Sequence, residues 1–248
     1  MPRFFVEKND IQNGIVTVSG DDAHHLSRAL RMAAGERITV CDAQGTDYTC
    51  VLTDFLPDRV LARVESSQPT KTEPPYRAVL YQGLPKGEKL DSVIQKAVEC
   101  GVSRVIPFES ERCVVRIRDG ENDKKATRRN RIAAEAAKQC GRGILPEVES
   151  AKPFREIVND AKHFDLPLFC YEGEGTEPLP RVLERIRNRL PANPEIGILI
   201  GSEGGFSPAE AEAASAAGWI PVGLGKRILR TETAPVFALA AISCALEL

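Results

Sequence analysis

The sequence predicts a mixed α/β protein with two domains, and three observations support this fold class. Apolar and polar residues alternate between turn residues in the first 70 positions, which is typical of a small β-barrel. From residue 76 onward, candidate strands alternate with candidate helices, which indicates a largely parallel sheet with crossover helices. Between them, residues 66–75 contain three prolines and no large apolar residue, as linkers do. We therefore place the domains at 1–70 and 76–248.

The elements of the first domain follow from alternation with a period of two. Asn13-Gly14 and Gln44-Gly45 are turn signals that separate the apolar runs. One short helix is predicted over residues 24–32, ending near Gly35. The predicted strands are 15–18, 37–41 and 60–64.

In the second domain, apolar spacing and end signals predict the first two helices. Apolar residues recur at helical spacing over 90–98, and Gly101 stands where a left-handed residue closes a helix. An alanine-rich helix is predicted over 128–140, ended by Gly141. The predicted strands are 79–82, 105–108, 167–171, 196–200 and 219–224.

Two more helices are predicted from their N-termini. Residues 207–210, Ser-Pro-Ala-Glu, form a capping box with proline at the first helical position, so a helix begins there and ends near Gly218. Thr233 is predicted to cap the last helix, in which Pro235 occupies an early, tolerated position.

Composition and residue spacing exclude several classes of protein. The apolar fraction of 42% and the charged fraction of 27% fit a soluble globular chain. Seven cysteines lack a C-x-x-C spacing and the N-terminus lacks an apolar signal segment, so reduced thiols and a cytoplasmic localisation are expected. The apolar stretch Ala234–Leu246 is too short to span a bilayer. His24 and His25 are adjacent without a third ligand nearby, so no metal site is expected.

Positive charge is concentrated in one segment, although the formal net charge of the chain is -2. Residues 112–142 contain ten Lys and Arg against four Asp and Glu. Such a run is usually a solvated face, but arginine and lysine also neutralise phosphate backbones. No aromatic RNA-recognition signature accompanies it. The candidate phosphate-binding residues are Arg3, Arg28, Arg31, Lys86, Lys89, Arg112 and Arg142.

Two loops follow predicted strands and carry most of the remaining chemistry. Residues 201–205 read Gly-Ser-Glu-Gly-Gly, and residues 224–235 combine glycine, two arginines, a carboxylate and two hydroxyls. Ligands in open α/β sheets bind beyond the carboxyl ends of strands, so the two loops are expected to wall one pocket. Neither loop contains a P-loop or dinucleotide fingerprint. The residues alone leave open a tight turn, a solvated charge cluster or a nucleotide-dependent metabolic enzyme.

Several stretches, taken together and in order, point to one family. They are SRALRM at 27–32, GLPKGEKLD at 83–91, IQKAVECGV at 94–102, SERC at 110–113, EAAKQCGR at 135–142, and the segments 200–205 and 224–235. No single motif is specific, but the ordered set spans nearly the full length. The chain thereby resembles the ribosomal RNA small subunit methyltransferase E family of the SPOUT class, which methylates N3 of a uridine in 16S ribosomal RNA.

The resemblance implies a fold, a cofactor and partners. The implied fold is a SPOUT-type parallel sheet with a C-terminal trefoil knot, preceded by a small PUA-like β-barrel that binds RNA. The implied methyl donor is S-adenosylmethionine, held in the knot. The implied partners are 16S rRNA or the small ribosomal subunit and a second copy of the chain, joined through the catalytic domains, with no membrane and no metal.

Carried onto this chain, the resemblance also implies a cofactor site. The family usually has proline where Ser202 stands; serine frees an N–H and loosens the turn, while the rest of the loop is unchanged. The implied cofactor-binding residues are Tyr171, Ile200, Gly201, Glu203, Gly204, Gly205, Leu224, Gly225, Arg227, Ile228, Leu229, Arg230, Thr231, Thr233 and Ala234.

The chemistry of uracil suggests catalytic roles. N3 carries a weakly acidic proton, which must leave before or during attack on the methyl group. Arg230 is predicted to stabilise negative charge on the uracil oxygens, and Glu232 or Glu203 to accept the proton directly or through water. N3 lies on the pairing edge, so the uridine must be unpaired or flipped out. The alternative function is a non-catalytic ribosome-assembly or RNA-binding protein, which cofactor binding discriminates.

Overall fold

The computed structural model describes residues 1–118 and 120–248, and these form two compact units. The first unit contains residues 1–73 and 137–145, and the second contains 74–136 and 146–248. The segment 137–145 therefore packs with the N-terminal part of the chain, an association that sequence order does not indicate.

The first unit is built on a six-stranded sheet, as its alternating pattern predicts. The strand order is β1-β4-β5-β6-β3-β2, and every pairing is antiparallel except β1 with β4. One side of the sheet buries an apolar core that includes Phe4, Leu26, Ile38 and Leu52. The elements are β1 (Arg3–Phe5), β2 (Ile11–Gln12), β3 (Ile15–Ser19), α1 (Gly20–His24), β4 (Arg37–Cys41), β5 (Thr46–Phe55) and β6 (Arg59–Pro69).

Two predictions in this unit need correction. Residues 66–69, expected as linker, continue β6 and pair with residues 46–49 of β5, because backbone pairing does not need apolar side chains at an exposed strand end. The helix expected over 24–32 begins earlier, as α1, and continues as a π-type turn over His25–Ala29. It ends before Arg31, whose φ of 51° is left-handed and cannot continue a right-handed helix.

The second unit contains a parallel sheet in the order β10-β8-β7-β13-β11-β14-β12, with β9 paired to β8. Every pairing in it is parallel, which confirms the predicted α/β class. Its strands are β7 (Arg77–Gly83), β8 (Val102–Glu109), β9 (Glu147–Val148), β10 (Lys152–Pro153), β11 (Leu166–Cys170), β12 (Glu177–Pro178), β13 (Glu195–Ile200) and β14 (Ile220–Gly223). Its helices are α2 (Lys89–Glu99), α3 (Asn122–Cys140, whose last four residues join the first unit), α4 (Phe154–Ile157), α5 (Leu179–Ile186), α6 (Pro208–Ala216) and α7 (Ala234–Leu246).

Apolar burial and end signals explain where these elements lie. The central strands are buried almost throughout, and a cluster of aromatic residues packs on one face of the sheet. Gly101 has a φ of +89° after α2, as predicted for a left-handed helix end. The capping box is also confirmed, since the backbone N–H of Glu210 donates to Ser207 Oγ at 3.3 Å and Ser207 N–H donates to Glu210 Oε2 at 3.0 Å.

The predicted cap of α7 is wrong in one respect. Thr233 occupies the N-cap position, but its side chain makes no capping hydrogen bond. Its φ of -93° and ψ of -37° are already helical, whereas a capping side chain requires an extended N-cap residue. Among the described residues, no helix is long and apolar enough to cross a membrane.

Candidate functional site

The two loops that carry most of the predicted site residues lie at the carboxyl edge of the parallel sheet. Strands β7, β13, β11 and β14 are neighbours there, and the loops that follow the last three surround a cavity of about 790 Å³. This volume falls in the range that binds small-molecule ligands. The cavity is lined by residues 170–173, 176, 200–206, 223–231 and 234, together with Lys89 and Arg112.

The loop at 201–205 is held in a tight turn against its neighbours. Gly205 N–H donates to the Ser202 carbonyl at 2.9 Å. A Cβ atom on Gly204 would lie 2.8 Å from the Arg112 carbonyl oxygen, so only glycine fits there without movement. The backbone of this loop is therefore exposed to the cavity on one side and packed on the other.

The loop at 224–234 forms the opposite wall and leads into α7. Thr231 is 5% exposed, and its hydroxyl donates to the Gly201 carbonyl at 2.8 Å, which joins the two loops directly. The backbone N–H groups of Thr233 and Ala234 both donate to the Arg230 carbonyl, at 2.8 and 3.0 Å, and close the turn before the helix.

A cation and two carboxylates form one cluster beside this turn. Lys89 Nζ, at the start of α2, lies 2.8 Å from Glu203 Oε1 and 3.6 Å from Glu232 Oε2. The hydrogen bond to Glu203 raises the pKa of Lys89. Burial opposes ionisation of Glu203, but hydrogen bonds from Lys89 and from backbone N–H groups, Lys86 among them, outweigh it and lower the pKa of this carboxyl. Glu203 is therefore a weak proton acceptor.

Glu232 differs from Glu203 in its hydrogen bonds. Its Oε2 atom is buried and accepts no hydrogen bond from the residues that the structure describes, although Lys89 lies within ion-pair distance. Its lone pairs are consequently less engaged than those of Glu203.

Two arginines of the second loop are exposed. Arg227 and Arg230 both line the cavity, and neither forms a salt bridge with residues 1–118 or 120–248. Their guanidinium groups are therefore free to meet an anionic or electron-rich ligand.

The third wall comes from the segment after β11. The ring of Tyr171 stacks on Phe169 with centroids 5.1 Å apart, and a Cβ atom on Gly173 would lie 2.2 Å from the Tyr171 ring. Glycine at 173 thus lets the chain pass close to this ring. Burial raises the pKa of the neighbouring Cys170 thiol to about 12, which keeps it protonated and unreactive.

Comparison with known proteins assigns the chain to a family. Residues 72–243 match the model of the RNA methyltransferase domain, and residues 18–65 match the model of the RNA methyltransferase PUA domain. A relative in Bacillus subtilis (strain 168), ribosomal RNA small subunit methyltransferase E, is 35% identical over 251 aligned residues, covering 100% of this chain and 98% of the relative. The chain belongs to the ribosomal RNA small subunit methyltransferase E family.

Solved structures agree with this assignment. The family member from Neisseria gonorrhoeae, crystallised with S-adenosyl methionine, superimposes with a TM-score of 0.84 at 32% identity, covering 98% of this chain and 97% of that one. A putative methyltransferase from Legionella pneumophila, also in complex with this cofactor, gives a TM-score of 0.84 at 29% identity with the same coverage. The fold is therefore the SPOUT-like α/β fold with an N-terminal PUA domain, while the trefoil knot stays a prediction.

The cavity contains nearly all the residues that the family resemblance implies for cofactor binding. Every one of them lines it except Thr233, and Ser202 lies beside them with a buried hydroxyl that has no partner among the described residues. Of the three catalytic candidates, Arg230 and Glu203 line the cavity, whereas Glu232 lies beside it in contact with Lys89.

The candidate RNA-binding residues fall into two groups. Arg142 is 3% exposed and donates through Nε and Nη2 to Glu73, and Arg3 forms a salt bridge with Asp47. Both guanidinium groups are therefore engaged within the first unit, and we do not assign them to RNA. The remaining five are exposed or half-buried: Arg28 and Arg31 in the first unit, and Lys86, Lys89 and Arg112 in the second.

The sequence did not single out Gln82, the residue before the end of β7. Its side chain is fully buried and contacts both cavity loops. The available signal was a lone polar residue at the carboxyl end of an otherwise apolar strand, Val79-Leu80-Tyr81-Gln82.

Proposed function

We propose that this protein transfers a methyl group from S-adenosylmethionine to N3 of a uridine in 16S ribosomal RNA. The observation that carries the proposal is the cavity that residues 200–206 and 223–231 line together, in a chain of a family whose Neisseria member was crystallised with this cofactor.

The residues of the cavity suit the cofactor chemically. Ile200, Phe206, Leu224, Leu229 and Ala234 provide apolar surface for the adenosyl group. The glycines of both loops leave main-chain donors and acceptors accessible, which is how a site recognises the edge of adenine without dedicated side chains. When bound, the cofactor supplies an electrophilic methyl group on a sulfonium.

The side chains around the cavity suit the proton chemistry of uracil. We assign to Arg230 the stabilisation of negative charge on the uracil oxygens, because its guanidinium is exposed and unpaired among the described residues. We assign proton acceptance to Glu232 rather than Glu203, because Lys89 and backbone N–H groups hold Glu203 ionised and weakly basic. Lys89 lies within ion-pair distance of both carboxylates and also lines the cavity.

The substrate RNA is expected to meet exposed positive side chains of both units. Lys86 and Arg112 are exposed in the second unit, and Arg28 and Arg31 are exposed in the first. Phosphate contacts of this kind orient the strand, while the flipped uracil enters the cavity. Binding should therefore weaken steeply with salt.

We also propose that the protein is a homodimer joined through the second unit. Ile228 and Phe237 are 83% and 40% exposed, and they flank the turn that leads into α7. Burial of such side chains in a symmetric contact is a common reason for dimerisation. Sedimentation analysis checks this, and a monomer at micromolar concentration would contradict it.

The first experiment is isothermal titration of the purified protein with S-adenosylmethionine and with its demethylated product. We expect both to bind, followed by mass-spectrometric detection of N3-methyluridine in small-subunit rRNA incubated with the enzyme. If the folded protein binds RNA but neither form of the cofactor, the non-catalytic RNA-binding function replaces the enzyme. Methylation at another atom would retain the enzyme and overturn the N3 assignment.

A further inference from the structure

Gln82 lies behind the cavity rather than in it. It is 0% exposed and does not line the cavity, yet it sits where strand β7 meets both cavity loops. A buried primary amide must be hydrogen-bonded, or it costs free energy. Its contacts therefore indicate what it does.

The amide nitrogen of Gln82 makes three contacts, one to each of three segments. The two N–H donors of Nε2 are shared among three acceptors: the Gly83 carbonyl at 3.1 Å, the Gly201 carbonyl at 3.3 Å and Thr231 Oγ1 at 3.0 Å. Because the Thr231 hydroxyl gives its own proton to the Gly201 carbonyl, its oxygen must accept from Gln82. The result is a closed set of hydrogen bonds between β7, the 201–205 loop and the 224–234 loop.

The orientation of this amide is fixed by its neighbours. Two of the three groups around Nε2 are carbonyl oxygens, so exchanging the amide oxygen and nitrogen would place acceptors against acceptors. The chosen orientation leaves Oε1 buried without a hydrogen-bond partner in the described part of the chain. The Gln82 amide nitrogen therefore faces the two loops, while the amide oxygen is left without a hydrogen bond from the described residues.

The backbones at this point are already in contact. A Cβ atom on Gly83 would lie 2.5 Å from Ser202 N and 2.9 Å from the Gly201 carbonyl carbon. The Gln82 amide thus acts next to a point where the backbone of β7 packs directly against the first loop.

We propose that Gln82 is a positioning residue, which acts through Thr231 and Gly201 to hold the two cavity walls in a geometry ready for the cofactor. This inference rests on the proposed function. Loops that are ordered before binding lose less conformational entropy when the ligand arrives. Loss of the amide should therefore weaken cofactor affinity more than it slows transfer at saturating cofactor.

The test compares variants on both ends of the hydrogen bond. Q82L replaces the side chain with an apolar one of similar size and removes all its side-chain hydrogen bonds. T231V removes the hydroxyl of Thr231, whereas T231S retains a hydroxyl. By titration with S-adenosylmethionine, we expect Q82L and T231V to weaken binding about tenfold, and T231S to stay within about twofold of the wild type. The double variant Q82L/T231V should weaken binding by less than the product of the two single effects, because both single variants already break the Gln82–Thr231 hydrogen bond.

The neighbouring residue on β7 offers a matched control. Tyr81 is also buried, and its hydroxyl donates to Asp160 at 2.8 Å, a contact that lies outside the cavity lining. Y81F should lower thermal stability without changing cofactor affinity. Wild-type-like binding by Q82L and T231V, or equal weakening in Y81F, would overturn the positioning role. If the wild type itself does not bind, the proposed function fails instead.

Discussion

The loop at 141–145 and the loop at 224–234 each present arginine, yet the two environments are opposite. Arg142 is nearly fully buried and paired with Glu73, while Arg230 is exposed beside a cavity and forms no salt bridge with described residues. Both residues belong to positively charged stretches that suggest ligand binding. An arginine is therefore available to a ligand only where the fold leaves it without a carboxylate partner, and charge density along the sequence does not show where that is.

Arg230→Ala should abolish most methyl transfer, a stronger effect than we expect from any other variant. Removal of a group that stabilises developing charge costs about 100-fold or more in rate. Because Arg230 is exposed, the melting temperature should hardly change. Transfer of radiolabelled methyl groups to small-subunit rRNA measures the rate.

The matched control is Arg189→Ala, which removes an exposed arginine of the same unit that does not line the cavity. It should transfer methyl groups at the wild-type rate. Normal turnover in Arg230→Ala would show that this residue has no role in the mechanism, and that an exposed arginine beside the cavity is not necessarily a functional one.

The next effect in size is a loss of stability of the first unit in Arg142→Met. Breaking a fully buried ion pair by removing one partner costs about 3–5 kcal/mol, and we expect a smaller loss here because the remaining Glu73 side chain is 23% exposed. Glu73 also accepts a hydrogen bond from the Gly143 backbone, which this variant retains, so the loop should stay attached to Glu73. Denaturant unfolding followed by a probe in the first unit measures the loss.

Arg37→Met is the control for this variant. Arg37 pairs with Glu65 in the same unit, but its side chain is 63% exposed, so its loss should cost little. Equal losses of unfolding free energy in the two variants would show that burial does not decide how much each ion pair contributes to stability. The double variant R142M/E73L should recover part of the stability, since no unpaired charge remains.

The smallest change in stability is expected at Lys89, whose side chain is half-buried and therefore lies between the exposed and the buried examples. The lowered pKa of Glu203 means that its ionised form stabilises the fold, and this contribution is lost as pH falls through that pKa. Lys89→Met should therefore be slightly less stable than the wild type near neutral pH. The difference should begin to close as pH falls past the ordinary glutamate pKa of about 4.3, and should continue to close through the lower pKa of folded Glu203.

Melting temperatures between acid and neutral pH measure this difference. Lys86→Met is the control, because the Lys86 side chain is exposed and only its backbone N–H contacts Glu203. A stability difference that does not depend on pH would mean that Lys89 acts through packing instead.

Much of the fold could be predicted because the signals are local. Apolar spacing, glycine at helix ends and the Ser207–Glu210 capping box each identify elements that the structure contains. Strand β5 was not predicted, because register shifts between Thr49 and Cys50 and between Leu52 and Asp54 interrupt its alternation. Residues 66–69 were assigned to a linker because their side chains are polar, although their backbone is paired.

The site could be predicted only in part, since its decisive contacts join residues far apart in sequence. The loops at 201–205 and 224–234 stood out by composition and do wall one cavity. Gln82 did not stand out, because its partner Thr231 is 149 positions away. The ion pair of Arg142 with Glu73 was missed for the same reason, as 69 positions separate them.

The first unit is not continuous in the chain, and this affects how a ribosome can deliver it. Residues 137–145 include Arg142 and Gly143. The Gly143 carbonyl accepts hydrogen bonds from Cys41 Sγ and from the backbone N–H of Gly45. A nascent chain that has emerged only to residue 120 therefore holds a six-stranded sheet that lacks its last segment. Such a chain should be cut readily by protease until residue 145 has left the exit tunnel, so the N-terminal unit matures after strands β7 and β8 of the second unit have been made.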